Sequence, residues 1–124
     1  MTYDYFENVK NDAIEAIKDY MEWNNATIDD LDENDVYGDL FLRDSVTGNA
    51  SGSYTFSTWQ AEENICHNMD LARDAFYEFG YDGIPADYVD NPEAIDVTIR
   101  CYVLGQVIGD AIKGIEEEME EATA

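Results

Sequence analysis

The segment that starts at Asn91 limits the fold more than any other part of the chain. Asn91 suits the cap of a helix, and Pro92 suits its first turn, where a missing N–H costs nothing. Ile95, Val97, Cys101, Leu104, Val107, Ile108, Ala111, Ile112 and Ile115 then spread around most of the helix circumference. A helix that is apolar nearly all round has to be covered on more than one side. This predicts a central C-terminal spine with the rest of the chain packed around it. Gly105 and Gly109, four residues apart, would let another helix come close.

The remaining helices are read from their caps and periodicity. Asp4 and Glu7 have the spacing of a capping box, and Phe6, Val9, Ala13, Ala16, Ile17 and Tyr20 fall on one side of the helix that follows. That helix should stop between Trp23 and Asn25. Val36, Tyr37, Leu40 and Phe41 predict a short amphipathic helix despite Gly38. Another is expected from about Thr58 to His67, with Trp59, Ile65 and Cys66 as its apolar members. Met69, Ala72, Phe76 and Phe79 mark the next, which Gly80 ends. The stretch "EEEMEEATA", residues 116–124, reads as an acidic, fraying tail. The expectation is one mainly α domain over residues 1–124: a compact bundle of about four helices around a central C-terminal helix, with a Gly/Ser-rich loop or small hairpin.

Composition narrows the function. The chain has 29 acids against six Lys and Arg, a formal charge of −23 in 124 residues. That lies far outside the magnitude of ~2–8 usual for a small domain, and it costs stability through self-repulsion. It argues against direct binding of nucleic acid or of an anionic membrane. Apolar content of 45% and nine tyrosines separate the chain from disordered acidic tails. The opening "MTYDYFENVKND" has acids where an export signal needs bases, and no stretch reaches the length of a membrane span. Cys66 and Cys101 are therefore expected to be free thiols in a reducing cytoplasm.

No catalytic constellation stands out. In "DLDEN", Asp30, Asp32 and Asn34 match the alternating ligands of a calcium loop, but Asp35 replaces the required glycine and Phe41 the bidentate glutamate. Cys66 and His67 are adjacent, so on a helix they point about 100° apart and cannot readily share one ion. His67 reads as a helix-end residue. No cofactor and no metal site are implied, and the reading is non-enzymatic. The loop "SVTGNASGSYTF" has glycines suited to turns, and Tyr54 and Phe56 alternate with polar residues. Tyr54 and Phe56 are expected to fasten it to the core, Ser57 to cap the helix that holds Trp59.

The stretch from Asp44 to Gly80, with its words "DSVTGN" and "SGSYTF", resembles small acidic proteins of phages and mobile elements of gut Firmicutes. More loosely, charge and size resemble acidic DNA mimics, in which carboxylates stand in for phosphates. The resemblance implies genomic company and a blocking role, and carries no catalytic residue. Seven acids lie between Asp29 and Asp44, with Arg43 the sole base. Asp29, Asp30, Asp32, Glu33, Asp35, Asp39 and Asp44, with Tyr37 as an uncharged anchor, are the expected contact residues for a basic protein surface. An acidic structural or accessory module with no inhibitory role, self-associating as a homodimer or not, is the alternative.

Overall fold

The computed structural model describes residues 4–48 and 56–123. It is a helical bundle in which α1 (Tyr5–Asn24), α2 (Glu33–Phe41), α3 (Thr58–Cys66) and α4 (Met69–Glu78) all pack on one long helix, α5 (Pro92–Thr123). Among the described residues there is no β-strand; two single 3₁₀ turns, Ile28–Asp30 and Ala86–Tyr88, also rest on α5. The hairpin alternative, and Tyr54 with it, fall in residues 49–55, outside the described residues.

The sequence explains where each helix starts. The Asp4 carboxylate accepts from the Glu7 N–H at 3.1 Å. Asp32 caps α2 by accepting from the N–H groups of Asn34 and Asp35. Ser57 caps α3 through Gln60, and the Asn91 side chain accepts from the Ala94 N–H just before Pro92 opens α5. Asn25 ends α1 with a φ of 50°, a left-handed conformation that asparagine tolerates better than most residues.

α5 is buried along most of its length. Ile95, Ile99, Val103, Leu104, Val107, Ile108, Ala111 and Ile115 all lie in the core. α1 lies against it with Tyr5, Val9, Ala13, Ala16 and Ile17 inward, and covers it more extensively than any other element. Tyr5 meets Asp96 near one end, and Lys18 meets Glu118 near the other, so α1 and α5 run in the same direction. α2 runs the opposite way. Its Tyr37 lies over Gly105, and Glu33 over Gly109, so the two glycines face the helix that the sequence leads one to expect there. The Tyr37 hydroxyl donates to the Cys101 carbonyl at 3.1 Å.

Several apolar residues sit differently from their expected places. Trp59 is 66% exposed, and Cys66 is exposed as well. α3 buries Ala61, Asn64 and Ile65 instead, because only one narrow face of so short a helix reaches α5. Phe6, Met69 and Phe79 are also largely at the surface. α5 continues through the acidic stretch after Ile115 to Thr123.

The core assigns an outcome to truncation of the spine. Leu104→Ala and Ile108→Ala should each lower stability by ~2–5 kcal/mol, since each removes buried methyl groups from a packed interior. Urea denaturation checks this; midpoints equal to that of the unaltered chain would contradict a central α5.

Candidate functional site

Two constellations stand apart from ordinary core packing. One is an exposed acidic pole, the other a buried charge cluster.

The pole follows from the helix directions. The last turn of α1, the 3₁₀ turn at Ile28–Asp30, the start of α2 and the end of α5 come together at one end of the bundle, linked by the Lys18–Glu118 ion pair of 3.2 Å and by Glu33 over Gly109. Asp19 and Glu22 of α1, Asp29 and Asp30 of the turn, Asp32, Glu33 and Asp35 of α2, and Glu116, Glu117, Glu120 and Glu121 of α5 are all exposed there. Trp23 stands among the α1 acids and is 85% exposed.

The acids at the start of α2 are favourably placed, because a helix N-terminus carries partial positive charge. Asp30 has a further role. Thr27 donates to it from both its backbone N–H and its hydroxyl, which holds the Asp30 carboxyl below the usual carboxylate range. The acids at the end of α5 are unfavourably placed. A helix C-terminus carries partial negative charge, and the last turns of α1 and α5 contain no basic residue. The sequence pattern alone does not reveal this conflict, because residues 116–124 read as a tail and not as helix.

The expected contact residues divide along α2. Asp29, Asp30, Asp32, Glu33 and Asp35 gather at the pole. Asp39 is about one and a half turns further along and is held by Arg43 at 2.7 Å. Asp44 lies past the far end of α2 and is half-buried. Tyr37 does not provide an exposed anchor. It is half-buried against Phe41 and α5, and burial raises its phenol pKa above the ordinary value of 10.0. The exposed aromatic at this end is Trp23, which periodicity places merely at the end of a helix.

The buried cluster lies near the start of α5. Asp96 and Arg100 are one turn apart and almost fully buried, with Arg100 Nε donating to Asp96 Oδ2 at 2.8 Å. The Tyr5 hydroxyl donates to Asp96 Oδ1 at 2.5 Å. The Arg100 guanidinium stacks 3.8 Å from the centre of the Phe56 ring, with Tyr5 on another side at 5.6 Å. Phe56 thus ties the chain entering α3 to the interior by a cation–π contact. Asp12 of α1 is close enough for Arg100 to act on it. Burial pushes its carboxyl above the usual 3.8, and the Arg100 charge counters that in part. Nearby, burial pushes the Cys101 thiol up to about 12, with a hydrogen bond to Thr47 working the other way. That thiol is therefore protonated at neutral pH and a poor nucleophile.

Among the described residues no three His, Cys, Asp or Glu side chains converge on a point that could hold a metal ion. Asp30, Asp32 and Asn34 are occupied in turn and cap formation. His67 ends α3 and lies 3.8 Å from Glu63, both of them well exposed. Among the described residues no helix is long and apolar enough to cross a membrane. Compared with protein-family models, curated proteins and solved structures, the chain matches none.

Two outcomes follow from the buried charges. Arg100→Met alone leaves the Asp96 carboxylate buried without its partner and should cost ~3–5 kcal/mol, whereas Asp96→Leu with Arg100→Met should recover most of that loss. Equal losses in the single and double variants, read from denaturation curves, would contradict an unpaired buried charge as the cause of the loss. Asp12 has the opposite sign. Its folded-state pKa is raised, so its ionised form opposes folding above that pKa and no longer does so below the unfolded value near 3.8. Asp12→Asn should raise the thermal midpoint at neutral pH, with the gain shrinking as the pH falls through the folded-state pKa. A gain that is constant with pH would contradict the assignment.

Proposed function

We propose that this protein is a non-enzymatic interaction protein that uses its acidic pole to engage a basic surface on another protein. The observation that carries this reading is the end of α5. Glu116, Glu117, Glu118, Glu120 and Glu121 are held in helix near the negative end of the helix dipole, where the carboxylates of the last turn cost stability and only Glu118 has a basic partner given for it, Lys18. They face the same end as Asp29, Asp32 and Asp35, so the repulsion is compounded. Charge that opposes the fold at one place, around an exposed tryptophan, fits selection for binding better than selection for stability. Trp23 would supply the uncharged contact that anchors such interfaces, while the carboxylates speed encounter at low salt.

Four of the six basic side chains are already committed: Lys18, Arg43, Arg73 and Arg100 each have a carboxylate partner within 4 Å. A basic partner would therefore meet a surface with little competing positive charge. The likeness in charge and size to acidic DNA mimics suggests the partner class: a nucleic-acid-handling protein of the cytoplasm, blocked by carboxylates that take the place of phosphates. On this reading the protein binds neither nucleic acid nor membrane itself.

Two sets of variants test it. Glu22, Asp29, Asp35 and Glu117 have no capping hydrogen bond, so their joint reversal to lysine leaves the helix starts intact. Immobilised on beads and exposed to a gut Firmicute lysate, the unaltered chain should retain nucleic-acid-binding proteins at low salt and release them at high salt. The reversed variant should retain none of these, and Trp23→Ala should retain them more weakly with circular dichroism unchanged. Retention of the same proteins by all three chains, insensitive to salt, would refute the acidic pole as the contact surface.

A further inference from the structure

A second feature lies well away from the pole. A cleft of about 250 Å³ opens between the end of α2, α4, the segment after it and the first turns of α5. Five of its eight lining residues are aromatic, Phe41, Phe76, Phe79, Tyr81 and Tyr88, with Val97, Thr98 and Cys101 of α5 completing the lining. The Tyr81 and Tyr88 rings stand at 87° with centres 6.5 Å apart, and Tyr81 meets Phe76 at 75° and 5.7 Å. Tyr81 is well exposed and Tyr88 half-buried, so the corner they form is open to solvent.

The lining decides which ligand suits it. No carboxylate, amine or guanidinium is among the lining side chains. The Thr98 hydroxyl hydrogen is given to the Ala94 carbonyl at 2.8 Å, and the Cys101 thiol is neutral at physiological pH. The cleft therefore offers π faces, with the Tyr81, Tyr88 and Thr98 hydroxyl oxygens as its side-chain acceptors. An ion bearing several N–H groups would lose more water here than these few hydroxyls replace. A fully alkylated ammonium has no N–H to satisfy and is attracted to ring faces within about 6 Å. The surroundings favour positive charge as well. Glu78, Asp82 and Asp87 are exposed and next in sequence to Phe79, Tyr81 and Tyr88, in a molecule of charge −23. The volume is below the ~300–1,000 Å³ of pockets for drug-sized ligands, which sets an upper limit on size.

We propose that this aromatic cleft binds a small quaternary ammonium compound of the choline class. The site is formed by α2, α4 and the start of α5, and it stands whether or not the acidic pole has a protein partner.

Choline itself is the probe, titrated into the full chain at constant ionic strength and followed by amide and aromatic NMR shifts. The shifts should saturate and centre on Tyr81, Tyr88 and Phe79, with nuclear Overhauser contacts from the choline N-methyl protons to those rings. 3,3-Dimethyl-1-butanol, the same shape without the charge, should bind at least about tenfold more weakly, the size expected of a cation–π contribution. Tyr81→Leu keeps apolar bulk at the rim and should weaken choline binding about fivefold or more without unfolding the chain. Equal binding of the neutral analogue would overturn the proposal and leave a plain apolar cleft. Binding of arginine amide as tight as that of choline would overturn it in favour of a partner's cationic side chain. Shifts that do not saturate, or that lie outside the cleft, would overturn it outright, as would a Tyr81→Leu variant that binds choline undiminished.

Discussion

The register of α1 on α5 turns on one buried ion pair. Asp96 and Arg100 face inward on a helix whose other inward residues are apolar, and neither charge would be tolerable alone in that setting. Tyr5 satisfies one carboxylate oxygen from the first turn of α1, and Phe56 covers the guanidinium at the end of the loop. Two distant parts of the chain are thus tied to a single turn of α5. An aliphatic pair at the same positions would bury as well but would accept several registers of α1. The charges accept few, because Tyr5 has to reach an oxygen and Asp12 has to lie within the field of Arg100. Specification of register is the best-attested use of buried polar groups, and this cluster has the components for it.

Around that point the molecule works against its own charge. Favourable local placements soften the repulsion: Asp4, Asp32 and Asp30 each accept hydrogen bonds at the beginning of a helix or turn. Pairs such as Asp39 with Arg43 remove a little more, although exposed pairs contribute little. The end of α5 has no such relief beyond Lys18. Its helical state rests on the rigid apolar stretch before it, since Ala111 and Ile115 are buried immediately upstream. The acidic pole is thus held in place by the core and not by its own propensities.

Much of the architecture was legible in the residues, and the reasons are local. The Asn91–Pro92 start and the all-round apolar surface of α5 admit few alternatives, and the caps at Asp4 and Ser57 act through neighbours three residues away. The misplacements have the opposite character. Trp59, Phe6 and Phe79 match helical periodicity, but periodicity states which residues share a face and not how much of that face is covered. The short α3 and α4 bury only small residues and one ring or aliphatic chain apiece at their contacts. The candidate sites were less legible still. The seven acids from Asp29 to Asp44 look like one surface in the sequence, yet Asp39 is half-buried and held by Arg43, and Asp44 lies past the far end of α2. Nothing in the spacing of Trp23, or of Tyr81 and Tyr88, marks them as companions of residues far along the chain. The Asp96–Arg100 pair has an ordinary surface spacing, and only its apolar neighbours hint that it is buried.

The same-direction pairing of α1 and α5 governs the order of events when the chain is made. The Tyr5–Asp96 and Lys18–Glu118 contacts join residues 91 and 100 positions apart. α1 is made well before the helix that covers its Val9, Ala13 and Ile17 stripe. Most helical bundles reward each helix as its neighbour appears, and they fold fast because their contacts are close in sequence. Here the main reward is deferred until α5 has been made, and α2, α3 and α4 likewise find most of their packing on α5. During that interval the apolar stripe is exposed on a nascent chain, and mutual repulsion among its many carboxylates is what keeps neighbouring copies from meeting. The charge that burdens the finished fold is thereby a safeguard for the unfinished one.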